Sequence, residues 1–172
     1  SEREGMMQYV NEPAIDVKGV DFDLAYNLQD RLETSFNISY SDARNLRKYK
    51  PDGNPSATYK NRVPNRPWLF ANAQASYSWH SLLERTDRLR LGADFQWIHW
   101  YYLNWEAYGS KESKAKIPTQ CITDVSVSYE WHSSRYNISL DCTNVFDRLA
   151  FDNYMLQKPG RAFFAKFRLF LE

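Results

Sequence analysis

Seven cations crowd one stretch of the chain and are the first candidates for chemistry. Between Asp42 and Arg66 stand Arg44, Arg47, Lys48, Lys50, Lys60, Arg62 and Arg66, opposed only by Asp42 and Asp52. Guanidinium and ammonium groups in such excess can capture an anion, such as a ferric catecholate. The same composition also suits a solvated loop, or one that meets lipopolysaccharide phosphates. Arg44, Arg47, Lys48 and Arg62 are the candidate ligand-binding cations. A second candidate is the ring-dense run Trp100-Tyr101-Tyr102-Leu103-Asn104-Trp105-Glu106-Ala107-Tyr108. Rings of this kind stack on planar or apolar ligands, or form a membrane-interface belt. Trp105 and Tyr108, furthest along, are the better ligand candidates.

The remaining reactive side chains point to no catalyst. His80, His99 and His132 are scattered, and a lone His99 is a weak haem ligand. Cys121 and Cys142 fall about four residues out of step in adjacent strands, too far apart for a bridge. No zinc spacing and no nucleophile elbow occurs, so no metal, cofactor or catalytic residue is expected. Asp21, Asp23, Asp94, Asp124 and Asp141 are spread over several segments and suit contact with water or another part of the protein. The acceptor patterns Asn37-Ile-Ser39 and Asn137-Ile-Ser139 lie inside strand-like segments, which discounts them.

The elements that must position these residues read as strands. From Leu89 to Leu103, Leu89, Leu91, Ala93, Phe95, Trp97, Tyr101 and Leu103 share one face, and Arg88, Arg90, Gly92, Asp94 and Gln96 share the other. The same period of two runs through 67–79, 120–131, 136–146 and 163–171, and more briefly through 20–26 and 36–40. Seven strands result, with the end of an eighth near Met6 to Val10. Ile15 and Val17 fall out of phase with Val20 and Phe22, which predicts a bulge at Gly19. Connections alternate between short (27–31, 80–88, 132–135) and long (42–66, 106–119, 147–160). No linker divides the chain.

Composition narrows the class. No run approaches eighteen apolar residues, so no membrane-spanning helix is expected. The mean hydropathy of −0.67 does not exclude barrel strands, which hide their lipid face in alternation. A net charge of +1 argues against nucleic acid as a partner. Aromatics make up 16% of the chain, and many sit at strand ends, as two girdles would require. The opening Ser1-Glu-Arg-Glu-Gly has no signal-peptide character. Strands of about ten residues are too long for an ordinary sandwich and suit a tilted membrane strand. Charged faces must then look inward, because Arg or Lys facing lipid near the midplane costs about 2–4 kcal/mol. A small eight-stranded outer-membrane barrel and a soluble β-sandwich or lipocalin-like binder remain as alternatives.

Three motifs add a resemblance. Thr143-Asn144-Val145-Phe146-Asp147 resembles the Asn-Leu-Phe-Asp element before the last strand of TonB-dependent receptors. Lys158-Pro159-Gly160-Arg161-Ala162-Phe163-Phe164 is similar to the Pro-Gly-Arg segment that opens their final strand, and Val17-Lys18-Gly19-Val20-Asp21-Phe22 to their Ile-x-Gly-Val-Glu-Phe element. Val63-Pro64-Asn65-Arg66-Pro67-Trp68 and Tyr154 to Arg161 resemble Bacteroides-type members. The resemblance implies that residues 1–172 are the C-terminal strands of an all-β, antiparallel transmembrane barrel of about twenty-two strands, without its plug domain and earlier strands. It further implies an outer-membrane importer of a ferric siderophore or haem, powered by the TonB complex through the plug, or of cobalamin, glycan or peptide. Its partners would be membrane lipid and lipopolysaccharide, the rest of the receptor, and a small-molecule ligand. Seven is an odd number of strands and would leave open edges, which predicts a fragment of a larger protein.

Overall fold

The computed structural model describes residues 14–108 and 115–170. Seven strands form one antiparallel sheet in the order β1-β2-β3-β4-β7-β8-β9. They are β1 (Ile15–Leu28), β2 (Leu32–Asn45), β3 (Leu69–His80), β4 (Arg88–Ile98), β7 (Gln120–Trp131), β8 (Tyr136–Thr143) and β9 (Ala162–Leu169). Two short strands, β5 (Tyr101–Tyr102) and β6 (Lys116–Ile117), pair with each other beyond the end of β4. Among the described residues, a 3-10 turn, Glu106–Tyr108, lies between them. The seven main strands match the period-two reading. The eighth, near Met6 to Val10, lies outside the described residues.

The expected bulge at Gly19 does not form. β1 and β2 pair without a break from Ile15↔Asn45 to Leu28↔Leu32. Glycine is required there by proximity, since a Cβ would stand 2.6 Å from the Tyr40 carbonyl oxygen. Two segments also end sooner than the alternation suggests. The fourth breaks at Ile98, and the strand begun at Tyr136 stops at Thr143. Conversely, β2 runs on to Asn45, so Asp42 and Arg44 belong to a strand and not to the loop.

Cross-strand register keeps like with like. On one face Asn37 meets Asn72, and Asn72 meets Gln96. Their amides form a ladder: Asn72 Nδ2 donates to Asn37 Oδ1 at 2.9 Å and Gln96 Nε2 to Asn72 Oδ1 at 3.4 Å. Lower on the same face, Arg90 pairs with Glu33 at 2.5 Å, Arg88 with Glu130 at 2.9 Å and Lys166 with Asp141 at 2.9 Å. The opposite face sets Phe22 against Ile38, Phe36 against Ala73, Leu91 against Val127 and Leu140 against Ala165. These apolar side chains do not enclose a core. Val20 is 70% exposed and Phe163 75%. A sheet that leaves one apolar face bare is a wall, and it needs an apolar medium or partner to cover it.

The short turns are built to reverse the chain tightly. Gln29 and Asp30 both have positive φ, and Arg31 N donates to the Leu28 carbonyl at 2.9 Å, which makes a primed hairpin turn. Asp87 closes the 81–87 turn. Its carboxylate accepts the N–H groups of Leu82 at 2.7 Å, Leu83 at 2.7 Å and Glu84 at 3.0 Å, and the Tyr129 hydroxyl at 2.7 Å. Burial alone would raise the pKa of this acid. The donors outweigh it and hold the pKa down at about 2. Cys121 lies opposite Trp97 and Cys142 opposite Val125, and both are free thiols, as their register predicts.

Candidate functional site

Most of the buried residues gather at the long-loop end of the sheet, whereas Ser78 and Asp87 are buried at the short-turn end. Tyr101 is 2% exposed, Ile117 0% and Ala150 2%. Around them the loop segments 46–68, 99–108 and 144–161 interlock through polar groups. Asn65 adopts positive φ between Pro64 and Pro67. Its N–H donates to the Tyr102 carbonyl at 2.7 Å, and its side-chain nitrogen donates to the Leu103 and Asn153 carbonyls at 2.8 and 2.9 Å. The Tyr101 hydroxyl donates to Asn153 Oδ1 at 3.2 Å. Phe151 N donates to Gln120 Oε1 at 2.6 Å. One asparagine thus joins all three loops. Sequence reasoning missed Asn65, although a polar residue flanked by prolines was a visible sign of a fixed turn.

The basic loop is partly spent on its own architecture. Arg44 Nε lies 2.7 Å from Asp42 Oδ2, and Arg62 Nε 3.1 Å from Asp42 Oδ1. Arg44 also donates to the Lys60 carbonyl at 3.0 Å. The Arg62 guanidinium stacks over the Trp68 ring at 4.3 Å. Arg44 and Arg62 face each other in an isolated antiparallel bridge that extends β2 into the loop. By strand alternation Asp42 and Arg44 continue the apolar face of Phe36, Ile38 and Tyr40. On the other face Asn45 is buried, and both ends of its amide are satisfied: Nδ2 donates to Thr58 Oγ1 at 2.8 Å and Oδ1 accepts the Arg47 N–H at 2.9 Å. The loop therefore meets the polar side of the sheet at Asn45, while Arg44 of β2 and Arg62 of the loop stand together on the apolar side.

The other sequence candidates sit apart from this triad. Arg47 is half-buried and its N–H donates to Asn45 Oδ1 at 2.9 Å. Lys48 is exposed, with its ammonium 5.8 Å from the Tyr59 ring centre. Trp105 is half-buried, and its carbonyl accepts the Tyr108 N–H at 3.0 Å. Tyr108 is 67% exposed. His99 packs between rings, 4.7 Å from Trp68 and 5.4 Å from Trp97. Among the described residues no group of three or more His, Cys, Asp or Glu could hold a metal ion.

The two terminal motifs meet in one junction. Asn144 has positive φ; its N–H donates to Asp124 Oδ1 at 2.7 Å and its side chain exchanges two bonds with Arg148. Asp147 Oδ1 accepts the Arg161 N–H at 2.9 Å, and a Cβ on Gly160 would stand 2.6 Å from that same oxygen. The motif thus ties β7, β8 and β9 at the point where the sheet meets its loops.

A family model described as TonB dependent receptor-like, beta-barrel matches residues 2–145. No curated protein matches the chain. Among solved structures, it is similar to BauA, the ferric preacinetobactin receptor from Acinetobacter baumannii, with a TM-score of 0.68 at 11% identity over 88% of this chain. It is also similar to the siderophore receptor PiuA from the same organism (TM-score 0.63, 19% identity, 86% of this chain) and to the FrpB iron transporter from Neisseria meningitidis (0.61, 18%, 86%). These matches cover 21%, 20% and 22% of the respective structures, so the chain spans about a fifth of their length. The polar and apolar faces, the short turns and the long interlocked loops accord with the matched barrel, and the chain belongs to the TonB dependent receptor-like, beta-barrel family.

Proposed function

We propose that this chain is the C-terminal set of strands of an outer-membrane receptor that imports a ferric siderophore or haem with energy supplied through TonB. The observation that carries the proposal is the seven-stranded wall itself. Its apolar face is uncharged from the Val20↔Tyr40 pair down to the Leu28↔Leu32 pair, while its polar face carries paired charges and an amide ladder. That division suits lipid on one side and a wet or plugged lumen on the other. The open edges of β1 and β9 would be closed by the earlier strands of the barrel. The preference for iron comes from the likeness to structures named for siderophore reception and iron transport.

In this reading the long loops are external and hold the ligand first. Arg47, Lys48, Trp105 and Tyr108 are the capture residues. Arg44 and Arg62, already neutralised in part by Asp42, fix the loop that presents them. The plug and the TonB complex, which do the subsequent work, would act from outside the described strands. Uptake of labelled ferric siderophores and haem by cells with and without the intact receptor tests the proposal. Receptor-dependent uptake that vanishes without TonB is expected. Uptake of neither iron ligand, with the receptor assembled, would contradict it.

A further inference from the structure

We propose that the arm 154–160 of the last long loop is a docking surface for a segment of the same receptor, the loop that follows the barrel's first strand. The inference rests on the reading of this chain as the closing strands of a receptor barrel. It concerns the region beyond the strands, where closure of the barrel alone requires no contact.

The loop between β8 and β9 folds into a small hairpin. Lys158 N donates to the Ala150 carbonyl at 2.8 Å, Phe151 bridges Gln157, and Asp152 N donates to the Leu156 carbonyl at 2.9 Å. Asp152 fixes the tip. Its Oδ1 accepts the Tyr154 N–H at 2.8 Å and the Leu156 N–H at 2.9 Å, and its carbonyl accepts the Met155 N–H at 3.1 Å. Met155 holds positive φ at the reversal. A turn bonded this fully presents its side chains in one arrangement, so little freedom is lost on meeting a partner.

The two arms of the hairpin differ. The first is sheltered by the neighbouring loops: Ala150 is 2% exposed, Phe151 N donates to Gln120 and Asn153 accepts the Tyr101 hydroxyl. The second is bare. Residues 154–161 are all exposed, and Tyr154 and Leu156 keep 75% and 65% of their surface in solvent. Consecutive apolar side chains held outward on a fixed turn mark a contact surface.

Position selects the occupant. The bare arm runs directly into β9 at Ala162, and β9 ends the sheet order with no neighbour on its far side. A closed barrel leaves no edge, so its first strand pairs with β9. The chain spans about a fifth of the receptors it is similar to, which leaves that strand in the part of the receptor outside this chain. Running antiparallel to β9, the first strand emerges beside Ala162, and the loop after it starts against the bare arm. Pro159 offers no N–H, so strand pairing does not continue along the arm. The contact there is made by side chains, with apolar residues of the incoming loop over Tyr154, Met155 and Leu156.

The test uses the intact receptor in outer membranes, with a benzophenone amino acid in place of Leu156 and the photo-adduct mapped by peptide mass spectrometry. An adduct within one receptor, to the loop after the first barrel strand, is expected. The same group in place of Leu83, which is 84% exposed at the short-turn end, is expected to give no adduct with that loop. Tyr154→Ser with Leu156→Ser, both exposed changes, is expected to speed amide exchange in that loop about tenfold. The amides bonded to Asp152 should stay protected in the same variant. An adduct confined to 99–119, an adduct heavier than one receptor, no adduct, or unchanged exchange would each overturn the contact. A receptor that assembles and takes up iron yet shows any of these overturns the contact alone. A chain absent from the outer membrane overturns the proposed function as well.

Discussion

Asp147 accepts the backbone N–H of Arg161 at 2.9 Å, and through this bond the two motifs near the end of the chain become one structural unit. Gly160 passes so near that a methyl group would meet the carboxylate at 2.6 Å. Asp147→Ala is expected to destabilise the β8–β9 connection by about 1–2 kcal/mol, the range for losing a charged acceptor. Asp147→Asn, which keeps an acceptor oxygen, is expected to cost less. Hydrogen exchange across 144–161 in the assembled receptor checks this, with faster exchange in the alanine variant.

Asp42 holds two arginines at once. Removing it by Asp42→Ala leaves Arg44 and Arg62 unpaired on adjoining backbone, and like charges repel there. Because these groups are partly exposed, the expected loss is only about 1 kcal/mol. Residues 60–63 should gain exchange first. The single changes Arg44→Ala and Asp42→Ala should sum to more than the double variant, since they share one contact.

Asn65 should behave as the common tie of three loops. Asn65→Ala removes the donors to Leu103 and Asn153 and should speed exchange in 46–68, 99–108 and 144–161 together. An effect confined to 46–68 would show that the loops are independent. Replacing a residue of positive φ also adds backbone strain, so Asn65→Gly serves as the control that removes the side chain without it.

Asp87 predicts a pH dependence. Its folded pKa, about 2, lies below the ordinary value of 3.8. A depressed acid contributes stability that is full above its unfolded pKa and is lost as pH falls through the folded one. Protection of the Leu82, Leu83 and Glu84 amides should therefore hold down to about pH 4 and fall between there and pH 2. In Asp87→Asn that acid-dependent step should be missing.

The strands were legible in the sequence because each buries only one face, and a one-sided wall prints its period directly. Leu89 to Trp97 and Gln120 to Trp131 read correctly for that reason. The ends were less legible. At Ile98 the alternation of rings continues through Tyr101 and Leu103, yet the chain leaves the sheet to form β5, whose Tyr101 is buried by other loops. Gly19 looked like a bulge because Ile15 and Val17 are apolar on the polar face; backbone proximity to Tyr40 explains the glycine without any insertion. The basic loop showed its charges but not their pairing, which depends on Arg62 returning beside Arg44 from eighteen residues away.

The most direct test of the account compares two adjacent residues of β3. Ala73 faces Phe36 and Phe95 on the apolar wall, whereas Gln74 faces Ser35 and Asp94 on the polar one. In the intact receptor, Ala73→Arg should cost about 2–4 kcal/mol and sharply reduce the heat-shifting, assembled band from outer membranes. Gln74→Arg, next to Asp94, should assemble as the unaltered receptor does. The reverse ranking, or equal tolerance of both, would contradict the assignment of this sheet as a lipid-facing barrel wall.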